Sequence, residues 1–474
     1  MIKFIVLISC SFLMATASFA NDSTIVDENS SVDLNTNNTK LDNSIDVGTP
    51  GVKKVRVAIP NFSLSDNNLP ITSNDALKFT KRFHDILDFT NWFEFVPQNA
   101  FISKKNPVLE PFQAQDWAII KTEFVIFGKI TRAKNAKNFN LELRLYNVKL
   151  QNMLVGKMYA NLNLNLADIA LRRFGDVLVE SLTGTPGPFM SKIAFVGKRN
   201  AKNSQIYTAD FDGNNAVPIT KNNSVNISPA WSPDGTKLTY TSFVTGAPEI
   251  YQYNTLTKRT VQMTSGASNS SGSNWSSDGD TIAYSSSTKN GETHIFTMNA
   301  FGGNKRALIN SSEIEVEPSY SPNGKYLAFT SNRFGKPMIF TRDLKTGEDS
   351  RLTYAGWYNA SASWSPDSTT LAFASYDRKI DRWDLFKINS DGSRLERLTL
   401  SQGDNEKPTW SPDGRFIMFQ STRSSSGNNT INSISKLYVM SKDGYFSKDL
   451  PTAVSEIRQP VWGPRLEQIP IDKD

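Results

Sequence analysis

Three glutamates alternate at Glu313, Glu315 and Glu317, directly before Pro318. Carboxylates at such spacing could act as the acid–base pair of a glycosidase or as oxygen ligands for calcium. The rest of the chain lends that chemistry little support. Its two histidines, His84 and His294, have no partner at metal-ligand spacing, so each reads as a surface or packing residue. There is no His-Glu-x-x-His motif, no Gly-x-Ser-x-Gly elbow and no glycine-rich phosphate loop. The alternation of acids before a proline reads instead as chain entering a strand of a repeat. Neither a catalytic residue, a metal ligand nor a cofactor is expected, and the chain is not read as an enzyme.

The repeat is carried by aromatic residues. Trp231-Ser232-Pro233-Asp234-Gly235 returns as Trp275-Ser276-Ser277-Asp278-Gly279, Tyr320-Ser321-Pro322-Asn323-Gly324, Trp364-Ser365-Pro366-Asp367-Ser368 and Trp410-Ser411-Pro412-Asp413-Gly414. A degenerate copy is Trp462-Gly463-Pro464. Successive aromatic positions lie 44, 45, 44, 46 and 52 residues apart, and each unit holds four strand-like runs. That period is the mark of a β-propeller. Within the unit, Pro fixes φ and the following Asp or Asn and Gly close a turn. An alternating strand follows, such as Tyr326-Leu327-Ala328-Phe329. Fourth strands are expected to begin at Arg351-Leu352-Thr353 and Arg397-Leu398-Thr399. Because the tryptophans recur at one position, they read as packing between blades rather than as sugar-stacking surfaces.

The two ends of the array are complementary. Lys192-Ile193-Ala194-Phe195-Val196 is a strand of the repeat with no aromatic turn before it, and Trp462 is an aromatic unit with no such strand after it. If the two pair, the ring closes, no open edge is left, and the blade count is six.

Before the ring, residues 1–20 read as a secretory signal peptide, with Lys3, an apolar run from Phe4 to Met14, and Ser18-Phe19-Ala20 at the cleavage end. The one cysteine, Cys10, lies within it. After cleavage no integral membrane segment is expected. Residues 21–52 carry six acids against Lys40, a net −5, with too little apolar surface to order themselves, so they are read as disordered. The whole chain is +6; setting aside Lys3 and the −5 segment leaves +10 on 53–474. That charge is scattered rather than gathered into a stripe, which excludes a nucleic-acid reading. Residues 53–184 read as a small α/β domain. Its first helix runs from about Asp75, with Phe79, Phe83, Ile86 and Leu87 on one face, and its last carries Ala170, Phe174, Val177 and Leu178. Residues 185–188 form a stiff linker, 189–464 the propeller and 465–474 a tail. The fold class is therefore mixed: a small N-terminal α/β domain followed by an all-β six-bladed propeller.

A propeller gathers loops at one end of its axis. The segments before the repeated aromatics, 222–229, 269–274, 313–318, 357–361 and 404–408, are polar and varied over a constant scaffold, as a protein-binding face requires, and the last four are expected to form one recognition face.

Together the leader, the α/β domain and the six blades resemble the TolB family of the periplasmic Tol–Pal system. More specific than the blade motif are Val57-Ala58-Ile59-Pro60-Asn61-Phe62, Phe124-Val125-Ile126-Phe127-Gly128-Lys129, and Leu182-Thr183-Gly184 leading into Ser191-Lys192-Ile193-Ala194-Phe195-Val196. The resemblance implies a non-enzymatic periplasmic adaptor. It would link the inner-membrane Tol complex to the peptidoglycan-associated lipoprotein Pal, and support outer-membrane integrity and constriction at division. It also implies Pal at the propeller mouth, TolA at the mature N-terminus, and further Tol or division proteins as partners. Glu317, in Val316-Glu317-Pro318, matches a family position at that mouth. Asn269 and Gly272 occupy the corresponding loop of the preceding blade, where the family's histidine-containing pattern is absent. Trp357, Tyr358, Asn359 and Glu406 complete the expected Pal face, and Thr24, Ile25, Val26 and Asp27 resemble the TolA-reaching segment. A monomer is expected. The alternative function is a periplasmic carbohydrate-binding propeller.

Overall fold

A computed structural model describes residues 31–33, 53–66, 68–102, 112–198, 203–266, 268–288, 291–400, 402–423 and 431–466. The expected signal peptide and Thr24 to Asp27 lie outside the described residues.

The N-terminal domain is one mixed sheet with helices on both faces. Its strands are β1 (Ser31–Asp33), β2 (Val55–Ala58), β3 (Ser63–Leu64), β4 (Phe93–Phe95), β5 (Phe124–Arg132), β6 (Phe139–Asn147) and β7 (Asn152–Leu162). The order is β1-β7-β6-β5-β2-β4, with β3 beside β5. Alternation along β5 sends Phe124 and Ile126 to one face and Val125 and Phe127 to the other. The first face is covered by α1 (Ser73–Asp88) and α3 (Leu164–Thr183), the second by the short α2 (Ala114–Ile119) through Trp117. Phe79, Phe83, Ile86 and Leu87 are all buried; in α3 Ala170, Phe174 and Leu178 are buried, while Val177 is only partly so. Helix α1 opens with a capping box, in which the Thr72 hydroxyl accepts from Asp75 N and Thr72 N donates to the Asp75 carboxylate. Helix α3 ends at Gly184 with φ 81°, the left-handed cap that turns the chain into the linker.

Three residues of the acidic segment read as disordered, Ser31–Asp33, pair antiparallel with Tyr159, Met158 and Lys157 of β7. An edge strand offers unpaired N–H and C=O groups to any extended chain, so backbone pairing there does not need apolar side chains.

The second domain is a six-bladed β-propeller. From the axis outward, blade one is Ile457–Arg465, Ser191–Lys198, Ser204–Asp210 and Val217–Pro218. Trp462 pairs with Ile193, so the C-terminal strand closes the ring as the two incomplete repeats imply. The inner strands of blades two to six are Asn226–Trp231, Ser270–Trp275, Glu315–Tyr320, Tyr358–Trp364 and Asn405–Trp410.

The serine of the aromatic turn has a specific task. The Ser232, Ser276, Ser321, Ser365 and Ser411 hydroxyls each accept the first N–H of the next strand, at 2.9–3.0 Å, from Lys237, Thr281, Tyr326, Thr370 and Phe416. The following Asp or Asn engages that same hydroxyl. The tryptophans pack between blades: the indole N–H of Trp275 reaches Thr239 Oγ1, that of Trp364 reaches Ser319 O, and that of Trp410 reaches Ser363 O, each in the preceding blade.

The outer strands differ from expectation. They are Asp349–Arg351 in blade four and Glu396–Arg397 in blade five, ending rather than beginning at the arginines. Beyond them the pairing is one-sided: Leu352 N and Leu398 N still donate to Ile339 O and Leu385 O, but the reverse bonds go to threonine hydroxyls, Thr353 Oγ1 accepting Ile339 N and Thr399 Oγ1 accepting Leu385 N.

The N-terminal domain docks on the turn end of the ring. Phe89 makes edge contacts with Phe211, Phe416 and Trp462, and Trp92 stacks on Phe416. Asp176 of α3 is fully buried and accepts Phe189 N and Met190 N at the start of the ring and Arg465 Nε at its end. The opposite end of the axis carries the segments that enter the inner strands.

A bulged ring at the propeller mouth

The residues expected to form recognition loops belong largely to the inner strands themselves. In all six blades the register between the inner strand and its neighbour slips at one equivalent place, and in blade one it slips a second time between Trp462 and Arg465. The shared slip falls at Ser228, Gly272, Glu317, Ser361, Lys407 and Gln459, each three residues before the repeated aromatic. Each has a left-handed backbone, with φ of 52°, 63°, 56°, 58°, 52° and 48°. Five of the six are not glycine, so the same uncommon conformation is imposed on five side chains by the ladder on either side. A bulge bends the strand and re-aims its side chain while the flanking pairs hold.

The re-aimed residues meet one another across blades. Glu317 of blade four accepts Ser361 N of blade five at 2.7 Å and forms an ion pair with Lys407 of blade six. Thr330 and the Ser361 hydroxyl also donate to it. In the other half, Ser228 N donates to Gln459 Oε1 at 2.7 Å, and Gln459 N to Gln420 Oε1. Gly272 N donates to Thr241 Oγ1 of the blade before it. Burial alone would raise the Glu317 carboxyl, but the Lys407 ammonium and the Ser361 donors outweigh it and hold the carboxyl below its usual range. Burial likewise opposes the charge on Lys407, and Glu317 more than restores it. The two side chains are 31% and 30% exposed, so the pair is open to the mouth rather than sealed.

The other expected residues take different places. Val316 pairs with Thr330 beside the bulge, and Asn269 is exposed with its N–H on Ser287 Oγ. Glu406 accepts from Gln420 Nε2 at 2.9 Å, and burial pushes its carboxyl up. Tyr358 meets Trp383 edge-on, and burial followed by the Glu317 charge raises its hydroxyl. Trp357 is 42% exposed at the rim. Asn359 is fully buried; it donates to Ala355 O and fixes the loop instead of facing solvent. Of the three alternating acids, Glu315 is also fully buried, where it binds His294 Nδ1 at 2.8 Å and Arg333. The Glu313, Glu315 and Glu317 side chains therefore do not converge as a catalytic pair would.

Sequence reasoning missed Gln459, and it held Ser228, Ser361 and Lys407 only as members of their segments without singling them out. The usable signal was the fixed offset from the aromatic, with proline next in four blades, at Pro229, Pro318, Pro408 and Pro460. A cavity of about 710 Å³ between blades five and six opens at the turn end, away from the mouth. Its Lys387 is already paired with Glu396 and Asp443.

Two family models match the chain: a TolB amino-terminal domain over residues 43–154 and a TolB beta propeller domain over 179–466. The Tol-Pal system protein TolB of Bordetella pertussis is 31% identical over 421 residues, covering 89% of this chain and 90% of that protein. The Bordetella bronchiseptica protein of the same name matches to the same extent. The crystal structure of TolB from Acinetobacter baumannii superposes with a TM-score of 0.75 at 26% identity, covering 88% of this chain and 99% of that one.

Proposed function

The chain belongs to the TolB family and is a component of the Tol–Pal system, and from that premise we propose that it is a monomeric, non-enzymatic periplasmic adaptor. It receives Pal at the bulged mouth of the propeller and reaches TolA with the segment around Thr24 to Asp27. It thereby links the inner-membrane Tol complex to the outer membrane and supports envelope integrity and constriction during division.

The observation that carries this reading is the mouth itself. The N-terminal domain occupies the turn end of the ring, and the opposite end presents Glu317, Ser361 and Lys407 on three consecutive inner strands. Their backbones are fixed in one uncommon conformation, so a partner meets a preformed surface and little ordering cost is left for binding. The carbohydrate alternative is not favoured, because the recurring tryptophans pack in clusters between blades, and Trp275, Trp364 and Trp410 also spend their N–H groups there.

Isothermal titration with purified Pal and with TolA tests the proposal. Pal is expected to bind one to one, and Glu317→Ala to weaken it by about tenfold, a loss of ~1.4 kcal/mol. Deleting residues 21–30 should abolish TolA binding and leave Pal binding unchanged. No heat from Pal on the folded wild-type protein would overturn the adaptor reading. Unchanged affinity in an equally folded Glu317→Ala protein would remove that residue from the site.

A further inference from the structure

Over blades four and five, the rim of the mouth carries aromatic rings interleaved with cations. Phe334, Tyr354 and Trp357 are 66%, 74% and 42% exposed. The Arg351 guanidinium lies between two of them, 5.7 Å from the Phe334 ring and 4.8 Å from the Tyr354 ring. Trp357 lies between two cations, with Lys336 at 4.2 Å and Arg378 at 4.6 Å. These residues come from the connection between the second and third strands of blade four, the outer strand of blade four with the segment after it, and the second connection of blade five.

A neighbouring arginine shows what a structural cation looks like here. Arg333 also lies over two rings, Phe329 and Phe340, but its guanidinium is paired with Glu315 at 3.1 Å and Asp349 at 2.8 Å. Among the described residues, Lys336, Arg351 and Arg378 have no carboxylate partner; Arg351 donates only to the Thr353 carbonyl. Three positive charges are thus held in fixed positions over rings, with their remaining donors unspent. Phe334 stacks on Phe340 at 5.9 Å by one side of its ring, yet it and Tyr354 leave most of their surface in water beside these cations.

We infer that this rim receives an acidic protein surface, whose carboxylates meet Lys336, Arg351 and Arg378 while its apolar groups cover Phe334, Tyr354 and Trp357. The inference rests on the adaptor reading and names the chemistry of the partner at that same mouth. The rim is continuous with the bulged ring through Trp357 and Tyr358, the latter lying in the field of Glu317. A cation held against a ring has already lost much of its rotamer freedom, so little ordering cost is left for binding. Unpaired rim charges act mainly on encounter, and exposed rings mainly on residence. Rings with cations also suit an anionic lipid surface. A protein is favoured because the patch flanks a preformed mouth.

The test is stopped-flow association with purified Pal at low and at physiological ionic strength. It compares the wild type, the triple variant Lys336→Glu, Arg351→Glu and Arg378→Glu, and the double variant Phe334→Ala and Tyr354→Ala. The triple variant should associate about tenfold or more slowly at low salt and lose most of the salt dependence. The double variant should dissociate about tenfold faster with little change in association. Equal melting temperatures establish that both variants are folded. Association and dissociation rates equal to wild type would overturn the inference and leave the adaptor reading standing. Failure of wild type to bind Pal would overturn the adaptor reading and this inference together. Sedimentation with phosphatidylglycerol vesicles supplies the last arm: vesicle binding lost in the triple variant, with Pal kinetics unchanged, would assign the rim to lipid and overturn the protein reading.

Discussion

Glu317 shows how much one residue's role depends on distant chain. Its place in a family motif is legible within a five-residue window, yet its ion-pair partner Lys407 lies 90 residues away. The offset from the aromatic marks Lys407 as an equivalent of Glu317, but only ring geometry brings the two together as a pair. The pair lies between a solvated surface bridge and a sealed one, and a coupling energy of about 1–2 kcal/mol is expected. A double-mutant cycle with Glu317→Gln and Lys407→Met, read by urea unfolding, measures it; strictly additive losses would show the two to be energetically independent. The pH dependence follows from the directions of the shifts. The Glu317 carboxyl is lower in the folded state, so its contribution is present above the unfolded value of about 4.3 and is lost as pH falls through the folded value. Lys407 is raised, so its contribution is present below about 10.4 and is lost as pH rises through the folded value. Between those limits the difference between wild type and the double variant should be flat.

At the scale of the element, two devices repeat around the ring, and only one can be read directly. The aromatic turn is visible because Ser, Pro, Asp and Gly each have a conformation or a hydrogen bond that few other residues supply. The inner-strand bulge is hidden because its left-handed residue is Ser, Glu, Lys or Gln in five blades, types with no preference for that region. For the same reason the strand-entry segments read as loops, whereas most of their residues lie within the inner strands. Gly272 is the exception that permits a clean test. At φ 63° a side chain there is strained, but the space is open, with Ser285 Oγ the one heavy atom near an added Cβ, at 3.9 Å. Gly272→Asn should therefore unfold close to wild type, since Asn tolerates this backbone. Gly272→Val should lose about 1–2 kcal/mol in thermal or denaturant unfolding, because a β-branched residue does not tolerate it. Equal stability of Asn and Val would mean that the bulge relaxes, and that the ladder does not enforce it.

For the whole molecule, the closing strand does more than complete a sheet. Ring closure was legible from two incomplete repeats, because a count of units needs no knowledge of contacts. The docking of the N-terminal domain was not, since Phe89 and Trp92 reveal an apolar surface but not what covers it. Both meet at Ile457–Arg465. That strand pairs with Ser191–Lys198, and the Trp462 indole donates to Ser191 Oγ at 2.7 Å. Trp462 also receives the edge of Phe89, and Arg465 reaches buried Asp176 of α3. Gln459 supplies the acceptor for Ser228 at the mouth. Removing the strand exposes the Ser191–Lys198 edge, uncovers part of the domain interface and leaves Asp176 without its arginine. Truncation after Asp449 should therefore lower the melting temperature by about 10 °C or more, several kcal/mol at this chain length. The smaller change Trp462→Phe keeps an aromatic ring against Phe89 but loses the bond to Ser191 and some buried volume, at a cost of about 1–3 kcal/mol. An unchanged melting temperature after truncation would show that the first blade holds without its inner strand, and that closure does not account for the stability of the ring.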